Sequence, residues 1–112
     1  LEAQLKVVLD DERRFLKHGY SIHDLSADAG FPAYILTIYI NKVLGSTFPD
    51  LINQKRIEEC CNWIKAGKYA HLSVEGLAAL SGFNNRNSFS LAFKKFKNVS
   101  PSEFIRSQKP VK

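Results

Sequence analysis

A chain of 112 residues has room for one domain or two very small ones, and a hydrophobic content of 45% excludes a disordered polypeptide. The net charge of +5 and a pI near 9.3 favour an acidic partner, because Lys and Arg gain by neutralising phosphates and releasing their counterions. No apolar run approaches the ~20 residues of a membrane span, and no signal peptide opens the chain.

The first segment sets Leu1, Leu5, Val8, Leu9, Glu12 and Leu16 at helical spacing and predicts a helix that ends before Gly19. Opening at Leu1 inside an amphipathic pattern, the chain reads as a piece of a longer protein. Ser21 with Asp24 three residues on forms a capping box for a short second helix through Ile22, Leu25 and Ala29 to Gly30. A third helix is expected from Ala33 to Leu44, with Leu36, Ile40 and Val43 inward and Gly45 closing it. Thr47 and Asp50 cap a long fourth helix, whose Leu51, Ile57, Cys61 and Ile64 lead to Ala66 and Gly67. On that helix the adjacent Cys60 and Cys61 point apart, which suits neither a disulfide nor a metal clip and fits packing in a reducing, cytoplasmic compartment.

Ser73 caps a fifth helix that runs to Ser81, Gly82 and Phe83 make a turn, and Asn84 is the expected cap of a sixth helix buried through Phe89, Phe93 and Phe96. Ser100-Pro101-Ser102-Glu103 combines a cap, a proline at the first helical position and a capping-box Glu. The expectation is an all-α chain of about seven helices. Charge divides unevenly along it: residues 1–51 carry 5 Lys/Arg against 7 Asp/Glu, and residues 52–112 carry 11 against 4.

An internal repeat organises these elements. Ile22, Leu25, Ser26, Gly30 and Phe31 recur 52 residues later as Val74, Leu77, Ala78, Gly82 and Phe83. Past the turn the offset becomes 53, with Leu36, Ile40, Val43, Leu51 and Ile52 answered by Phe89, Phe93, Phe96, Phe104 and Ile105. Each copy outlines a helix-turn-helix: a short helix, a glycine turn, a longer helix and a capped helix. Ser26 and Ala78 leave space for the second helix to cross, and Phe31 and Phe83 fill the core beneath the turn. A stacked solenoid pair would share the repeat, but two copies joined by a long helix leave little to stack.

Leu77-Ala78-x3-Gly82-Phe83, Phe89-x3-Phe93-Lys94-Lys95 and Val99-Ser100-Pro101-Ser102-Glu103-Phe104 together resemble the DNA-binding domain of the AraC/XylS family of bacterial transcription regulators. The first copy resembles it more loosely, with Ser26 where Ala is usual. The resemblance implies two helix-turn-helix subdomains, at 1–47 and 67–112, joined by a linker helix at 48–66. Each would set a recognition helix into successive major grooves on one face of double-stranded DNA. It also implies an upstream sensing or dimerisation domain, and contact with RNA polymerase.

In the first subdomain the outward side of the recognition helix would show Tyr34, Thr37, Ile38 and Asn41, of which Ile38 or the Thr37 methyl could meet a thymine methyl. In the second it would show Asn85, Arg86, Asn87, Ser90, Leu91 and Lys94, with Asn suited to adenine, Arg86 to guanine or phosphate, and Lys94 to the phosphate backbone. Ile38 and Leu91 both stand where Arg is common in the family, and Pro32 replaces its usual capping Ser. Lys95 and Lys97 are further candidates for phosphate contact, as are the capping hydroxyls of Ser46, Thr47 and Ser100.

No catalytic constellation is present: His18, His23 and His71 lie apart in or beside turns, and no cofactor or metal is implied. The rival to a DNA-binding domain is a helical protein–protein interaction module, suggested by the apolar surface around Tyr34 and Ile38 and by the acidic first half.

Overall fold

The computed structural model describes residues 1–108. Among these there are seven α-helices and no strand: α1 (Glu2–Leu5), α2 (Ile22–Ala29), α3 (Ala33–Lys42), α4 (Phe48–Lys65), α5 (Val74–Leu80), α6 (Arg86–Lys97) and α7 (Pro101–Ser107). Close contacts group the chain into two units that divide between Lys55 and Arg56, inside α4.

In the first unit α1 widens into a π-helical stretch, Lys6–Asp11, where the Glu12 amide reaches back five residues to the Val7 carbonyl at 2.8 Å. Val8 and Leu9 are both buried there. The predicted first helix ran on to Leu16, but the helical run stops at Asp11, and Arg13 takes a left-handed φ of 53°. Asp10, Asp11 and Glu12 gather three carboxylates at the negative end of the helix, which opposes its continuation. A 3-10 turn follows at Arg14–Leu16 and buries Phe15 in the core, with Leu16 partly buried against it; Gly19, with φ 71°, belongs to the next turn instead of capping a helix.

The capping box of α2 is complete: the Ser21 hydroxyl accepts from the Asp24 amide at 3.1 Å, and the Asp24 carboxylate accepts from the Ser21 amide at 2.9 Å. That backbone hydrogen bond holds the Asp24 carboxyl below its ordinary pKa. Gly30 ends α2 with φ 77°, a conformation that costs glycine nothing. Ser26 does more than leave space, since its hydroxyl donates to the Phe31 carbonyl at 2.6 Å and ties the turn shut. The unit closes over Leu5, Val8, Leu9, Phe15, Tyr20, Leu25, Ala29, Leu36, Ile40, Leu51 and Ile52.

Val43 departs from the expected pattern, being exposed rather than inward. The amides of Leu44 and Ser46 turn back to the carbonyls of Tyr39 and Ile40, at 3.2 and 3.1 Å, and this widened last turn rolls Val43 outward.

The second unit is organised by aromatic edges. Phe83, Phe89, Phe93 and Phe104 follow one another edge to face, with centroid separations of 5.4, 5.7 and 5.5 Å. Arg56 is buried from α4, its guanidinium 5.5 Å from the centre of the Phe83 ring, and burial lowers its pKa. Cys60 and Cys61 are buried free thiols; desolvation pushes them up to about 12 and about 11. The cap of α6 is Asn85 and not the predicted Asn84, so the helix starts one residue later, at Arg86. Ser100 and Glu103 form the complete capping box of α7, with Pro101 at its first turn.

Candidate nucleic-acid interface

In the first unit, α2, the Gly30 turn and α3 form the helix-turn-helix. Leu36 and Ile40 anchor α3 with no exposure, so the opposite side must face solvent. Tyr34, Thr37, Ile38 and Asn41 all lie on that side, Tyr34 at 67% exposure and Ile38 at 54%. Within α3 the one charged side chain is Lys42, in its last turn. Pro32 precedes the helix and supplies no side-chain cap.

In the second unit, α5, the Ser81–Phe83 turn and α6 make the corresponding arrangement. The Ser81 hydroxyl is buried and donates to the Leu77 carbonyl at 2.7 Å, and Gly82 takes a φ of 99°. Phe89 and Phe93 are fully buried, which turns Asn87, Leu91 and Lys94 outward and leaves Ser90 half-buried. The sequence offset of 53 therefore pairs Tyr34 with Asn87, Thr37 with Ser90, Ile38 with Leu91 and Asn41 with Lys94. The surface of α6 differs in charge, since Lys94, Lys95 and Lys97 occupy its last turns.

Two members of the predicted set are already engaged. The Asn85 side-chain oxygen accepts from the Ser88 amide at 2.8 Å as the helix cap. Arg86 donates to Glu75 on α5 at 2.7 Å, both side chains being more than half exposed. Hydrogen bonds from its own amide and then from Arg86 hold the Glu75 carboxyl below its usual range. Sequence reasoning missed Glu75, because eleven residues and a turn separate it from Arg86. Its place in the first turn of α5 was visible, but its partner was not.

Of the other candidate phosphate contacts, Lys97 pairs with Glu58 at 2.9 Å, and the Lys95 ammonium lies 5.5 Å from the centre of the Phe96 ring. The Thr47 and Ser100 hydroxyls accept from the amides of Asp50 and Glu103, and the Ser46 hydroxyl donates to the Thr47 carbonyl.

Residues 25–107 match the family model described as a helix-turn-helix domain. The chain belongs to that helix-turn-helix family. The AraC-type double helix-turn-helix is the fold it shares with solved DNA-binding domains. Solved structures share the fold of this helix-turn-helix domain at low identity. An AraC-type transcriptional regulator from Chromobacterium violaceum superposes with a TM-score of 0.81 at 14% identity, over 99% of this chain and 96% of that one. The C-terminal domain of the two-component response regulator yesN from Fusobacterium nucleatum gives 0.74 at 23% identity, over 94% and 99%. The DNA-binding domain of the global transcriptional factor AdpA, solved in complex with a target DNA, gives 0.74 at 17% identity, over 93% and 90%. No curated protein matches the helix-turn-helix domain. Among its described residues no helix is long and apolar enough to cross a membrane.

Proposed function

We propose that this chain binds double-stranded DNA sequence-specifically, with α3 and α6 as two recognition helices in successive major grooves and α4 as the spacer between their subdomains. The observation that carries this is the repetition of one row on the second helix of each helix-turn-helix: the outward Tyr34, Thr37, Ile38 and Asn41 on α3, and on α6 the outward Asn87, Leu91 and Lys94 with the half-buried Ser90. Asn41 and Asn87 supply the paired donor and acceptor that match adenine, and Lys94 with Arg86 supplies phosphate contact. Asn85 contributes by fixing the start of α6.

The chain acts in the cytoplasm as the effector end of a larger regulator, joined to an upstream sensing or dimerisation domain and communicating with RNA polymerase. The description of the yesN neighbour as a C-terminal domain supports such an arrangement.

A second possibility, a protein-interaction module, draws on the exposure of Tyr34, Ile38, Val43 and Leu44. Titrating binding to random-sequence and selected duplexes against salt separates the two. A DNA-binding surface loses affinity with a log–log slope of about 0.9 per phosphate neutralised. Little salt dependence, or no binding to any duplex by the folded chain, would favour the interaction module.

A further inference from the structure

The internal repeat places a large aliphatic side chain in water at the same position of both units. Ile38 on α3 and Leu91 on α6 are 53 residues apart, and their exposures are 54% and 65%. Each follows directly on a hydroxyl residue, Thr37 or Ser90, and each lies opposite buried anchors of its own helix, Leu36 and Ile40 or Phe89 and Phe93. One exposed aliphatic needs no explanation. Two at equivalent places, on the second helix of each helix-turn-helix, make a repeated apolar surface position.

The surroundings narrow its partner. Among the residues of α3 from Ala33 to Asn41 there is no charge, so the Ile38 contact does not depend on a phosphate or on an ionised group. In the major groove the one apolar group on a base edge is the 5-methyl of thymine.

We infer that Ile38 and Leu91 are specificity-determining residues, each packing on the 5-methyl group of one thymine, so that both blocks of the recognised DNA carry a thymine at the corresponding place. This rests on the DNA-binding function proposed above. Hydroxyls of Thr37 and Ser90 flank the contact and can meet the thymine O4 or the adenine amine of the same or the neighbouring pair. The two units thus share one apolar element and differ in the rest: Tyr34 and Asn41 accompany it on α3, Asn87 and Lys94 on α6.

The test uses a duplex selected from random DNA by the 112-residue chain, in which each thymine in turn is replaced by deoxyuridine. Uracil keeps every hydrogen-bonding atom of thymine and lacks only the methyl. Affinity should fall about fourfold at one thymine in each block, the weight of one buried methyl-sized group. Ile38→Ala should erase the loss in one block and Leu91→Ala in the other, each variant binding the thymine and uracil duplexes equally at its own block. Both substitutions are at exposed helical positions where Ala is the best helix former, so the fold is kept, and circular dichroism verifies it. Equal affinity for every uracil duplex, or losses that persist in both Ala variants, would overturn the assignment while leaving DNA binding standing. Failure of the folded chain to select any duplex would remove the DNA-binding function as well.

Discussion

Glu75→Gln should make binding stronger and more salt-sensitive. Glu75 and Arg86 meet at 2.7 Å with more than half of each side chain in water, an arrangement that adds little to fold stability. Its consequence is for the ligand. The Glu75 carboxylate is ionised at neutral pH and balances the Arg86 charge, so the pair presents no net charge where α6 begins. A DNA phosphate must compete with that carboxylate for Arg86. Glutamine keeps the shape and the hydrogen-bonding oxygen but not the charge, so Arg86 becomes free to neutralise one more phosphate. The log–log salt slope should then steepen by about 0.9, and raising salt from about 50 to about 200 mM should weaken the variant about 3.5-fold more than the parent chain. Fluorescence anisotropy on a labelled duplex measures both quantities. Adding Arg86→Ala to Glu75→Gln should remove the extra slope. A slope for Glu75→Gln equal to that of the parent would refute the competition between carboxylate and phosphate.

Asn85 and Asn87 should separate by role: Asn85→Ala should cost about 1 kcal/mol of stability in urea melts through loss of the helix cap, whereas Asn87→Ala should leave stability intact and relax preference at one base pair by about 1–3 kcal/mol, read from a panel of single-base variants. Lys94→Ala should weaken binding to all sequences alike and flatten the salt slope by about 0.9; an unchanged slope would take Lys94 out of the interface. Gly82→Val should destabilise the second unit by about 1–3 kcal/mol, because a β-branched residue is strained at a φ of 99°, and a melt equal to that of the parent would count against the turn. The buried thiols of Cys60 and Cys61 should resist alkylation at pH 8 until urea unfolds the chain. Since their folded pKa values are raised, stability is kept below the ordinary thiol pKa of 9.0 and falls as pH climbs past it, where the unfolded thiols ionise first.

Elements whose signals are local were legible in the sequence. Ser21 with Asp24 and Ser100 with Glu103 announce their helix starts, and the structure completes both capping boxes. The inward side of α6 is readable because Phe89 and Phe93 are four residues apart, and its likeness to α3 is readable from the repeat. Where several local patterns compete, tertiary packing decides. The first helix yields at Asp11 although the apolar spacing continues to Leu16, because an acidic run meets its negative end and Phe15 offers more apolar surface to the core. Asn84 and Asn85 are both competent caps, and the choice of Asn85 depends on where Phe89 must point. Partners distant in sequence left no trace at all: Glu75 with Arg86, Lys97 with Glu58, and Arg56 with Phe83 all require the fold before they can be seen.

The central claim is that one chain reads DNA through two recognition helices. In-vitro selection of random duplex DNA by the 112-residue chain, followed by footprinting of the selected sequences, tests it most directly. Two short protected blocks about 10–10.5 base pairs apart on one face of the duplex are the predicted result. A single block, or no enrichment by a chain shown to be folded, would contradict it.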